Sequence, residues 1–154
     1  PKSQILVRLL SRNQKDVIDE AFFHRRIAEA WAYRQHIGYT ENCRLIFGEA
    51  DGLPQLIIDK FNDYFVLQTL ALGMDNWKPA IVAALQEIFK PKGIYERNDV
   101  PVREVEGLQQ QKHPSTEANS PIRKDLRCRQ CSEEWFLGKA DEVRHSDSAH
   151  FEFA

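Results

Sequence analysis

Two groups of residues in this chain have the types and spacing for chemistry. Near the C-terminus, Cys128-x2-Cys131 is followed after thirteen residues by His145-x4-His150, the spacing of a two-cysteine, two-histidine zinc site. Leu126 and Trp135 stand where a zinc finger carries apolar residues, and a tetrahedral ion would supply folding energy to a stretch poor in core residues. Against this, Asp141 or Glu142 occupies the place of the core leucine before the histidines. The second group is acidic: Glu49, Asp51 and Asp59 lie around the turn Asp51-Gly52-Leu53-Pro54. They are either solvated turn residues or a set that orients a neighbouring domain. Gly52 can take a positive φ at little steric cost, and Pro54 fixes its own φ and removes a donor. Other reactive side chains read as structural. His24 and His36 fall on the surface of a helix, and Cys43 is a small apolar group at a strand start.

The elements that must position these residues follow from the apolar pattern. At 154 residues, with 42% hydrophobic and 29% charged, the chain can bury one core. Ser3–Leu10 reads as a strand already under way, with no leader, as in a piece cut from a longer protein. Asp19 is a candidate N-cap for a helix reaching towards Gly38, with Phe23, Ile27, Ala30 and Trp31 on its apolar face. Three short strands follow, at Arg44–Phe47, Leu56–Ile58 and Phe65–Leu67, the last two joined by the two-residue turn Asn62-Asp63. A second helix is expected over about Asp75–Phe89, with Pro79 in its first turn and Trp77 as a core residue. Gly93–Arg97 and Val100–Val105 complete the pattern as strands, the second an edge strand because of Pro101. From Gln109 the texture turns polar and a boundary is expected.

The fold class that results is α+β: a small mixed or antiparallel sheet with a strand-strand-helix-strand-strand core, preceded by an amphipathic helix. A net charge of −2 excludes a uniformly basic nucleic-acid binder but leaves room for a local basic face. No apolar run approaches the length of a membrane span. Three cysteines argue against a secreted disulfide scaffold, so the cytoplasm is the expected location.

The runs RLIFGEADGLPQLIIDKFNDYFVLQ and IYERNDVPVREVEGL resemble the bacterial large-subunit rRNA methyltransferase family that methylates cytosine at C5. The resemblance is carried by Gly48-Glu49, Asp51-Gly52-Leu53-Pro54, Leu56, Asp59, Tyr95, Arg97, Asp99, Val102, Arg103, Glu106 and Gly107, within a match over Ser3 to Leu108. It implies three modules: a PUA RNA-binding domain, a strand-strand-helix-strand-strand middle domain and an S-adenosylmethionine domain. On that pattern residues 1–18 are the last strand of a PUA-like module, 19–39 a linking helix, 40–110 the middle domain and 111–154 a divergent tail. The tail departs from the pattern at about His113, and either a changed reading frame or the zinc site would account for it.

The resemblance also implies what is missing. No two of the seven glycines form the G-x-G of a Rossmann-like turn, and no alternation of strands and helices suggests a doubly wound sheet. The thiolate that adds to cytosine C6 is expected in the family's catalytic domain and is not assigned to Cys43. The chain is thus expected to bind no cofactor and to be inactive alone, S-adenosylmethionine serving the parent family. Its implied partner is rRNA, with no membrane. Candidate phosphate contacts are Arg97, Arg103, Lys60, Arg25 and Arg26, each of which could equally be a solvated or internally paired charge. Exposed strand edges would allow a homodimer. The alternative is a non-enzymatic adaptor or nucleic-acid-binding module with a zinc-stapled tail.

Overall fold

The computed structural model describes residues 2–5 and 7–114. The tail from residue 115, including Cys128, Cys131, His145 and His150, lies outside the described residues. The first helix, α1 (Glu20–His36), begins as its sequence dictates: the Asp19 carboxylate accepts a hydrogen bond from the Phe22 amide at 2.8 Å, and Glu20 lies in the first turn. Gly38, at φ +97°, follows its C-terminus. Phe22, Phe23, Ile27 and Ala30 are buried, and Trp31 packs at the margin. Replacing Asp19 by alanine should lower stability by about 1 kcal/mol, read from the urea midpoint. A change under a few tenths of that would show that the cap bond contributes nothing.

β1 (Asn42–Phe47), β2 (Leu56–Phe61) and β3 (Tyr64–Thr69) form the expected antiparallel meander. A 3-10 turn, Gly48–Asp51, with Gly52 at φ +68°, joins the first two, and Asn62 at φ +52° turns the second hairpin. β3 then pairs in parallel with β4 (Gly93–Asn98), which requires a crossover. The crossover is α2 (Leu72–Asn76) and α3 (Lys78–Phe89). Here the single expected helix is divided at Trp77. Pro79 cannot continue a preceding helix, but its ring suits the first turn of a new one.

Two further expectations are corrected. Val100–Val105 is no strand: Val102–Val105 is a short helix, α4, entered through Pro101 at φ −59°, ψ −27°. The last strand is instead β5 (Gln111–Pro114), antiparallel to β4, in the polar stretch where a boundary was expected. The described residues of Ser3–Leu10 also form no strand. Among the described residues, this end of the chain has one backbone hydrogen bond outside regular elements, Lys2 N–H to Val105 C=O, and no ladder partner. Ile5, Val7 and Leu9 are accordingly exposed. An apolar alternation is strand-like in sequence, but a strand exists only where another chain segment meets its amides.

The sheet order is β1-β2-β3-β4-β5, confirming the mixed α+β class. α1 and α3 share one apolar cluster with the inward residues Leu56, Ile58, Phe65, Leu67 and Ile94. Trp77 belongs to it, with its ring 5.1 Å from that of Phe23. Among the described residues no helix is long and apolar enough to cross a membrane.

Candidate functional site

The carboxyl ends of the parallel strands β3 and β4 hold a cluster of buried polar groups. Inward positions that carry Phe65, Leu67 and Ile94 lower down carry Thr69, Glu96 and Asn98 here, and each of these three is 1% exposed or less. Asn98 extends the ladder with its side chain: its Oδ1 accepts from the Thr69 amide at 2.9 Å, and its Nδ2 donates to Thr69 Oγ1 at 3.2 Å and to Glu96 Oε1. Lys78, the first residue of α3, donates to Glu96 Oε1 at 2.5 Å and lies 3.2 Å from Asp75 Oδ1. Arg103 closes the cluster from α4. It donates to the Thr69 carbonyl, to Thr69 Oγ1 and Asp75 Oδ1 at 3.0 Å each, and to the Gln109 carbonyl at 3.1 Å.

Two carboxylates and two cations therefore compensate one another, and the network ties α2, α3 and α4 to the strand ends. Asp75 is its shared acceptor. Burial pushes its carboxyl up, but hydrogen bonds from Thr69, Arg103 and Lys78 outweigh this and hold it below its ordinary value of 3.8. A carboxyl lowered by folding stabilises the native state only while ionised. Its contribution is complete above the unfolded value and disappears as pH falls through the lower folded one. Asp75→Asn should thus flatten the loss of stability between about pH 5 and pH 2, measured as urea midpoints across that range. A variant with the same acid slope as the parent would remove Asp75 from this account.

The acidic turn is arranged differently from a shared site. Asp51 accepts two hydrogen bonds from the Arg34 guanidinium, at 2.7 and 2.9 Å, and one from the Phe47 amide at 2.7 Å. Asp59 pairs with Arg44 across β1 and β2 at 2.8 and 3.2 Å. Glu49 is exposed and accepts from Gln55 Nε2 at 3.3 Å. Each carboxylate has its own partner, and no group of three or more His, Cys, Asp or Glu side chains among the described residues could hold a metal. Gly52 and the buried Pro54 shape the turn.

The candidate cations divide into two kinds. Arg103, 1% exposed, and Lys60, 8% exposed, are inside the fold and leave little surface for the phosphate contacts expected of them. Lys60 Nζ donates to the Thr40 and Glu41 carbonyls and sits 5.2 Å from the centre of the Trp31 ring. Arg25, Arg26 and Arg97 keep exposed surface. Arg25 pairs with Asp16 and Glu29, and Arg26 with Glu29 and the Leu10 carbonyl. Arg97 has an ion pair with Asp99 at 3.5 Å.

Sequence comparison adds a second line of observation. No family model matches the chain. The ribosomal RNA large subunit methyltransferase I of Klebsiella pneumoniae subsp. pneumoniae is 43% identical over 112 residues, covering 71% of this chain and 28% of that protein. The same-named protein of Yersinia pseudotuberculosis serotype O:1b is 43% identical over 111 residues, covering 70% and 28%. This chain is similar to one part of these rRNA large subunit methyltransferases. It spans less than a third of the length of those it matches, 28% in each case. Among solved structures, a candidate methyltransferase complexed with SAH shares 18% identity over 55% of this chain and 23% of that one, with a TM-score of 0.49. A candidate SAM-dependent methyltransferase from Streptococcus mutans gives 18%, the same coverage and a TM-score of 0.48.

Several residues that carried the methyltransferase resemblance have local structural work. Asp51 and Gly52 build the β1–β2 turn, and Arg103 locks α4. Glu106, 9% exposed, meets Arg8 at 3.7 Å. Thr69, Asp75, Lys78, Glu96 and Asn98 were not singled out by their sequence. The available signal was polar residues continuing the inward alternation of β3 and β4 past its apolar part. His24 lies 3.7 Å from Glu87, and His36 is exposed. Cys43 is half-buried, and burial pushes its thiol up.

Proposed function

We propose that this chain is the RNA-positioning and linking portion of an S-adenosylmethionine-dependent rRNA (cytosine-C5) methyltransferase, without the catalytic domain. The observation that carries the reading is the 43% identity confined to 28% of the relative's length. The donor would be bound by the remainder of such an enzyme. In support, the described sheet contains one parallel pair, and the chain has no G-x-G turn. On this reading Arg25, Arg26 and Arg97 are the cations that remain for RNA phosphates, with rRNA as partner and the cytoplasm as the place of action. The sheet ends on β1, an edge through which a second copy could pair into a homodimer.

Two measurements on the purified chain test this. Calorimetric titration with S-adenosylmethionine should show no uptake, and tight one-to-one binding would overturn the reading. RNA binding should weaken steeply with salt. Stoichiometric zinc in the protein, with no affinity for RNA, would favour the alternative of an adaptor with a zinc-stapled tail.

A further inference from the structure

We propose that the turn over residues 11–16, which leads towards α1, binds the phosphate backbone of RNA through Arg12 and Lys15. The inference rests on the RNA-positioning reading above and gives it a surface which that reading does not name. Of the described lysine and arginine side chains, those of Lys2, Arg12, Lys15 and Lys90 have no hydrogen bond or ion pair among the described residues. Arg25, Arg26 and Arg97, by contrast, each meet a carboxylate. Arg12 and Lys15 are both exposed and stand three residues apart in one turn. An outside anion can take their donors without breaking an internal pair, a loss that any paired cation would suffer.

The turn is built to hold the two cations in place. The Ser11 hydroxyl donates to Asp16 Oδ2 at 2.5 Å and accepts from the Asn13 amide at 3.1 Å. Asn13 Nδ2 donates to Asp16 Oδ1 at 3.2 Å, and Asn13 Oδ1 accepts from the Lys15 amide at 3.1 Å. The Asp16 amide donates in turn to the Asn13 carbonyl at 3.1 Å. Ser11, Asn13 and Asp16 thus commit their polar groups to the loop itself, as these residue types do in turns. The one acid of the turn is also neutralised, since Arg25 of α1 lies 3.2 Å from Asp16 Oδ1. A loop already fixed, with its acid inward and two cations outward, loses little further entropy on meeting a polyanion. A nucleic-acid strand carries a charge on every nucleotide and can meet both cations at once. Residues 11–16 include no aromatic ring on which a base could stack, so the contact positions the strand without reading its sequence.

Fluorescence anisotropy on the full chain with a short, labelled, single-stranded RNA tests the assignment. Arg12→Gln combined with Lys15→Gln should reduce the slope of log affinity against log salt by about 1.4, the share of two single-strand phosphates. The reduction should be the same for RNAs of different sequence. Both side chains are exposed and unpaired, so the double variant should melt as the parent does. A lower Tm would show that they serve the fold and would overturn the proposal. Lys90→Gln, which removes an equally unpaired cation at the C-cap of α3, should bind as the parent does. An unchanged slope in the double variant, or the same change per charge in Lys90→Gln, would overturn this surface and leave RNA binding itself standing. So would polyglutamate that displaces the RNA as readily as unlabelled RNA does at equal charge, which would assign the turn to an acidic protein. No binding by the parent chain would overturn both.

Discussion

Arg103→Met should destabilise the protein by about 4 kcal/mol, seen as a lower urea midpoint and a fall in Tm of about 12 °C. Arg103 is 1% exposed and donates to Thr69, Asp75 and the Gln109 carbonyl. Methionine fills much of the volume but leaves the Thr69 carbonyl without this donor, and leaves Asp75 to Lys78 and Thr69 alone. Removing one partner of a buried charged network is costly because the other charge remains where water cannot reach it. Arg103→Lys should recover less than half of the loss, since one ammonium cannot reproduce a planar fork that serves two elements at once. A residue that merely touched phosphate would behave in the opposite way, losing RNA affinity at unchanged stability. A loss below about 1 kcal/mol would place Arg103 outside the structural network described here.

The second large effect is expected at Asp51, where alanine should cost about 3 kcal/mol. Its carboxylate joins α1, through Arg34, to the start of the 3-10 turn, through the Phe47 amide, and neither charged side chain is more than 12% exposed. Arg34 also donates to the Arg44 carbonyl on β1, at 2.9 Å. A double-mutant cycle with Arg34→Ala and Asp51→Ala should give a coupling of about 2 kcal/mol. The exposed Lys92–Asp63 pair, at 2.7 Å, offers the contrast. With more than half of each side chain in solvent, its coupling should be far smaller than that of the Arg34–Asp51 pair. Equal coupling at the two pairs would mean that burial is irrelevant to the turn.

The elements legible in sequence are those whose cause is local. Asp19 before an apolar helical stripe makes α1, the Asn62-Asp63 pair makes a hairpin, and Gly52 accepts the positive φ that its turn requires. Periodicity of 3.6 or 2 names a buried face without knowledge of what covers it. The misread segments share a different cause. Val100–Val105 is β-branched, yet becomes α4 because Pro101 starts a helical turn and Arg103 must reach the ends of β3 and β4. Gln111–Pro114 is polar, yet becomes β5 because β4 offers it a free edge. Ile5, Val7 and Leu9 alternate as a strand does, but no described strand lies beside them.

The candidate site divides in the same way. The sequence by itself determined which residues carry charge, which turn gathers the acids, and the resemblance to part of the rRNA methyltransferases, because each depends on residue identity and order. Only the tertiary structure decided which charges are committed to the fold. Lys60 and Arg103 became internal, Asp51 and Asp59 took separate arginines, and Arg97 stayed at the surface. Whether a charge is free depends on the groups that distant segments bring within about 3 Å of it and on the water they exclude. Neither quantity is written in the neighbouring residues of the chain.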